Sequence, residues 1–212
     1  MFNFKFFKNM IKRILNLRNV AIIACLAGSA TMFAQETGVK IGNTTWATRN
    51  VDMPNTFAEN SWDAGMFYQW NRNVGWSATA PMVNSNGGTN WNSDTPEETE
   101  WEKANDPCPT GWRVPTQEEL QELTNADYVW TTRNSVSGCL FDNSLFLPAV
   151  GYRLHTDGTL QFAGSQLRGF YWSSTYSSGT HAYDLYLLLI TNSIGISTNY
   201  RDFGMSIRCV SE

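Results

Sequence analysis

The chain has 212 residues, with 15 Lys and Arg against 19 Asp and Glu and a net charge of −4. Five of the basic residues, Lys5, Lys8, Lys12, Arg13 and Arg18, precede the first acidic residue, Glu36, so the chain from there on holds ten basic against nineteen acidic residues, a net −9. That balance excludes nucleic acid as the main partner, because nucleic acid is held by a basic surface, and it argues against an anionic membrane face as well.

The five cations form a basic head, and an apolar run from Val20 to Ala34 follows it, with the small residues Gly28, Ser29 and Ala30 near its end. This is the pattern of a cleavable secretory signal. The run of about fifteen residues falls short of the roughly 20 that a spanning helix needs. Cleavage after Ala34 divides the chain into a signal peptide, 1–34, and a single mature domain, 35–212, with no transmembrane span. Cleavage after Ala30 is a second reading, because Met32 is large for its place before Ala34. Ile22-Ile23-Ala24-Cys25 loosely resembles a bacterial lipobox, so lipid attachment at Cys25 is a third.

The mature part is long enough to bury one good core, and it holds all nine Trp. Gly38 to Trp46 alternates and then turns at Gly42-Asn43, which predicts two short strands. Residues 52–63 read as loop. Residues 64–70 are apolar and aromatic, a buried strand or a short helix. Residues 71–94, rich in Asn, Ser, Gly and Trp, read as a long surface loop, and long loops within compact domains are often functional. Thr116-Gln-Glu-Glu119 is a capping box behind Pro115, with Leu120, Leu123 and Ala126 on one face, so a helix is expected over 117–126. Asp157-Gly158 marks a hairpin between 145–154 and 159–162. Segments 169–175, 182–190, 194–198 and 204–210 read as strands of an antiparallel meander. With the capped helix before it, the expected class is α+β: a loop-rich antiparallel sheet with one or two helices.

Outside Cys25 the chain has Cys108, Cys139 and Cys209. Export places them where a disulfide persists, and three cysteines leave one over. A Cys108–Cys209 bridge would clip the C-terminal strand to the turn before the helix and contribute roughly 4 to 5 kcal/mol in the chain-entropy account. Cys139 then reads as a buried free thiol. There is no Cys-x-x-Cys, and His155 and His181 form no spaced ligand set, so neither a zinc site nor any other cofactor is expected.

Several segments occur together in one family of exported bacterial domains: Ile41-Gly-Asn-Thr-Thr-Trp46, Asp63-Ala-Gly-Met-Phe-Tyr-Gln-Trp-Asn71, Cys108-Pro-Thr-Gly-Trp-Arg-Val-Pro-Thr116, Phe146-Leu-Pro-Ala-Val-Gly-Tyr-Arg153, Tyr171-Trp-Ser-Ser-Thr175 and Ser206-Ile-Arg-Cys-Val210. Their order resembles the Fibrobacter succinogenes major paralogous domain, from about residue 39 to the end. The resemblance implies a C-type lectin-like organisation, in which a cysteine near the helix bridges to the final strand, and a bacterial protein that is secreted, periplasmic or on the cell surface. It implies no known activity. The Glu-Pro-Asn, Gln-Pro-Asp and Trp-Asn-Asp tripeptides that hold calcium in sugar-binding lectins do not occur here; Trp91-Asn92-Ser93-Asp94 comes nearest.

These features lead to an expected non-catalytic module for an extracellular glycan or a surface protein. Trp76 and Trp91, both in the 71–94 loop, are the candidate ligand-binding residues, since an indole face stacks on a sugar ring. A structural or assembly role at the cell surface is an alternative. An extracytoplasmic enzyme is another, with Cys139, His155 and His181 as its raw material, but thiol catalysis needs a cysteine beside a positioned histidine. Glu97, Glu98, Glu100 and Glu102 read as a solvated cluster.

Overall fold

The computed structural model describes residues 36–162 and 168–212. The signal segment, its cleavage sites and the lipidation reading at Cys25 lie outside the described residues. Among those residues there are fourteen strands and one α-helix of nine residues. The fold is therefore mostly β, made of small antiparallel sheets, and this overturns the expected α+β, C-type lectin-like class. The reason is the size of the helix: it buries only Leu120 and Leu123, too little apolar surface to form a layer of its own.

The first hairpin is as expected, β1 (Val39–Ile41) pairing with β2 (Thr44–Trp46) across Gly42-Asn43. The 64–70 segment, expected as a buried strand or a short helix, contains a strand, β3 (Met66–Tyr68). It pairs with β4 (Gly75–Ser77), which falls inside the stretch read as loop, with Phe67 opposite Trp76. After the short β5 (Trp112–Arg113) comes α1 (Gln117–Asn125). Both halves of its capping box form: Thr116 Oγ1 accepts from the Glu119 amide at 3.3 Å, and the Glu119 carboxylate accepts from the Thr116 amide at 2.7 Å. Such a cap is worth ~1 kcal/mol.

A three-stranded sheet follows: β6 (Tyr128–Arg133), β7 (Val136–Phe141) and β8 (Leu145–Pro148). Asn134 and Ser135 both have positive φ, 45° and 65°, as a two-residue hairpin turn requires. The single strand expected over 145–154 is split, because Gly151, at φ 83°, turns the chain between β8 and β9 (Tyr152–Arg153). The strand β9 pairs with β10 (Leu160–Gln161) around the Asp157-Gly158 turn. The expected meander is present as β11 (Arg168–Ser178), β12 (His181–Leu188) and β13 (Ser193–Tyr200), in that order. The last segment does not join it. Residues 204–206 make single bridges to Arg153, Tyr68 and Tyr171, and β14 (Val210–Ser211) then enters the first sheet between β2 and β5.

Two apolar clusters fill the body. One gathers Leu120 and Leu123 of α1, Cys139, Phe141, Leu145 and Leu147 of β7 and β8, and Tyr171, Leu185 and Leu187 of β11 and β12. The other surrounds Tyr68, Trp70, Trp172 and Ile207 and contains Cys108 and Cys209. Those two cysteines form a disulfide across 101 residues, with Cα atoms 6.1 Å apart, and Cys139 is the buried free thiol. Two of the buried indoles find carbonyl partners: Trp172 Nε1 donates to the Tyr68 carbonyl at 2.8 Å and Trp70 Nε1 to the Ser173 carbonyl at 3.0 Å, whereas the buried Nε1 of Trp46 has none among the described residues. Among the described residues no helix is long and apolar enough to cross a membrane.

Candidate functional site

Trp76 and Trp91 come together, ring centroids 4.8 Å apart. Trp76 is only 2% exposed, so it has no free face for a sugar ring. Trp91 is partly buried and donates from Nε1 to the His155 carbonyl at 3.0 Å. Its ring lies over two glycines: a Cβ on Gly158 would come within 2.6 Å of it and one on Gly204 within 2.9 Å. Arg153 secures the same region, donating to the carbonyls of Ser77, Thr79 and Gly158. The pair thus joins the loop after β4 to the β9–β10 hairpin.

Residues 92–105 have almost no regular structure and are held by side chains that follow β3. Gln69 Nε2 donates to the Asn92 carbonyl at 2.5 Å, Arg72 Nη2 to the Asp94 carbonyl at 2.9 Å and Asn73 Nδ2 to the Ala104 carbonyl at 3.1 Å. Asn71 Oδ1 accepts from the Glu102 amide at 2.8 Å. From the far side, the Arg201 guanidinium donates to the Glu98 carbonyl. Polar side chains next to a strand here supply bonds to a backbone that has no ladder of its own.

The segment so held carries Trp101 into the wall of an open cleft of about 380 Å³, within the range of small-ligand sites. Trp101 meets the buried Trp70 edge to face at 5.5 Å, and its Nε1 donates to the Asn105 carbonyl at 3.2 Å. Val114, Thr116 and Ser174 also line the cleft, with Lys103, Asp106, Arg113 and Glu212. The cations are matched. Lys103 pairs with Glu212, and Arg113 makes two bonds to Glu119, at 2.8 and 2.6 Å. That pairing raises the Arg113 pKa. At Glu119 burial pushes the other way, but the bonds from Arg113 and Thr116 prevail and hold its pKa low. Burial raises the Asp106 pKa, although its carboxylate accepts from the amides of Cys108 and Val114. Asp106 thus links the cleft wall to Cys108 of the disulfide. A second cleft of about 340 Å³, lined by Asn71, Arg72, Asn73, Glu97, Glu98 and Asn105, is more polar.

His155 and His181 meet at one residue, which sequence spacing does not reveal. The Tyr200 ring lies 4.7 Å from His155 and 4.4 Å from His181. His155 Nδ1 is also 3.5 Å from Asp202 Oδ2. Cys139 is elsewhere, buried in the first cluster, where burial pushes its thiol up to about 12. Among the described residues no three His, Cys, Asp or Glu side chains gather as a metal site. Sequence reasoning did not single out Trp101, because nothing in its immediate sequence separates it from the buried tryptophans. Compared with family models, curated proteins and solved structures, the chain matches none.

Proposed function

We propose that this chain is an exported, non-catalytic binding module of a bacterial cell surface or its surroundings, and that it takes a neutral extracellular glycan against Trp101. The observation that carries this reading is the cleft itself: a partly exposed indole beside Val114, with a rim of hydroxyl and ionic groups in which Lys103 and Arg113 have carboxylate partners. Such a wall stacks on the C–H face of a pyranose, and Thr116, Ser174 and Asp106 offer hydrogen bonds to its hydroxyls. Because Lys103 and Arg113 are already matched by Glu212 and Glu119, an acidic sugar gains little there.

Export is supported by the basic head and short apolar run, and by the Cys108–Cys209 disulfide, which persists in an oxidising compartment. The expected cleavage at Ala34 falls two residues before Glu36. That carboxylate is already built into the body, accepting from the amides of Gly38 and Thr48 and from Arg49 Nε. The Fibrobacter succinogenes major paralogous domain remains the family reading that the quoted segments support.

A glycan array and a polysaccharide pull-down with the unaltered protein and with Trp101→Ala test the proposal. Retention of neutral glycans by the unaltered protein and their loss in the variant is the expected result. Equal retention by both removes Trp101 from the site.

A further inference from the structure

The outer edge of the meander carries a second kind of information. Among the described residues no strand pairs with the far side of β13. Exposed edges normally carry a lysine, a proline or a bulge that discourages pairing. Residues Ser193 to Tyr200, Ser-Ile-Gly-Ile-Ser-Thr-Asn-Tyr, include no charge and no proline. They pair with β12 through eight successive residues without a break in register, and the irregularities of this sheet lie on β11 instead. The one weak point, Gly195, is covered by the Tyr186 ring of the neighbouring strand, whose hydroxyl lies 2.5 Å from where a Cβ would be. Ile194 and Ile196 lie opposite Leu187 and Leu185 and pack on the first core cluster, which fixes the face the strand presents. The edge is therefore regular in register and carries none of these devices in its own sequence, and α1 packs against the same sheet.

Exposed apolar side chains gather at the same edge. The described residues include four large exposed hydrophobics: Met53, Val129, Ile190 and Tyr200. Tyr200 ends β13, and Ile190, 73% exposed, stands in the turn that leads into it.

We propose that β13 pairs antiparallel with β13 of a second copy of this chain across a two-fold axis. Antiparallel pairing sets the Tyr200 end of one strand beside the Ile190 end of the other, so the exposed apolar groups at the two ends cover each other. A two-fold contact must be self-complementary, and this edge is. It has no charge to meet its like, although each copy is acidic as a whole.

The test is sedimentation equilibrium of the chain purified after export from a bacterial host, with Ile190→Lys, Thr198→Lys and a distant control, Met53→Lys. The unaltered chain and the control are expected to form a concentration-dependent dimer, and each edge lysine to weaken it roughly tenfold or more. Hydrogen exchange provides a reading that needs no variant: amides within 193–200 gain protection as the concentration of the unaltered chain rises. A monomer at every concentration, a dimer unmoved by both edge lysines, or exchange in β13 that is independent of concentration overturns the proposal. If a lysine variant does not fold, the exchange measurement decides.

Discussion

Asn50 Oδ1 accepts two hydrogen bonds from the fully buried guanidinium of Arg208, at 2.9 and 2.8 Å. A third bond runs from Arg208 Nη1 to the Ala47 carbonyl at 3.2 Å. Burial pulls the pKa of this arginine down to about 10, so the charge is held in the interior by neutral acceptors. Asn50 in turn donates to the Ala64 carbonyl at 3.0 Å. One amide thereby ties the early loop, the approach to β3 and the final segment together.

Asn50→Ala is expected to lower stability by about 3 kcal/mol or more, because it strands a buried cation. Urea unfolding measures this directly. Asn50→Asp, which keeps an acceptor in place, is expected to retain the fold. A midpoint unchanged in the alanine variant contradicts the role given to this contact.

Asp184 makes stability depend on pH. Burial raises its pKa to about 7, against a hydrogen bond from Asn199 Nδ2 at 2.9 Å that favours the charged form. In the unfolded chain the same group titrates near 4. Between those values the folded state holds the proton and the unfolded state does not, so stability falls as pH rises through the window and the loss is complete above about 7. The expected loss is on the order of 2 to 4 kcal/mol. Other carboxylates slope the opposite way, Glu36 and Glu119 among them. The informative quantity is therefore the difference between the unaltered chain and Asp184→Asn, which should change steadily from about pH 4 to 7. A constant difference contradicts the assignment.

Reducing the disulfide, or replacing Cys209 by Ser, is expected to cost roughly 4 to 5 kcal/mol by chain entropy, and less if the reduced state keeps residual structure. Cys139 should resist alkylation in the folded oxidised protein and react once it unfolds, since burial suppresses its thiolate. Mass spectrometry after iodoacetamide treatment reads both. Labelling of Cys108 or Cys209 in protein taken directly from its native compartment contradicts the bridge.

The two sets of tryptophans should separate in their effect on stability. Trp76→Ala removes a buried ring and is expected to cost about 3 to 5 kcal/mol. Trp101→Ala, at a partly exposed wall, should cost clearly less. Thermal unfolding of the two variants compares them, and equal losses would make Trp101 a core residue.

The capping box at Thr116, the first hairpin and the 168–200 meander were legible because each is written in local chemistry: a side chain three residues from its amide, a Gly-Asn turn, an alternation with period two. The fold class was not, since the weight of one helix depends on how many strands surround it. The Asn134-Ser135 turn between β6 and β7 lacks the glycine that advertises such hairpins. At the site, loop position alone could not separate Trp76 and Trp91 from Trp101. Trp91 lies over Gly158 and Gly204 from distant segments and Trp76 is buried beside it, while Trp101 reaches its cleft on a segment that Asn71 and Asn73 tie to the end of β3. The meeting of His155 and His181 on Tyr200 is likewise a product of strand pairing, which sets His181 opposite Tyr200.

The most direct test of the binding account follows the nine indole N–H resonances of the folded protein while a neutral oligosaccharide retained in the pull-down is titrated in. The account predicts that the Trp101 signal shifts in a saturable way while those of the buried Trp46, Trp70, Trp76 and Trp172 stay in place. Saturable shifts at Trp91 with Trp101 unmoved, or no shift at any indole, would contradict it.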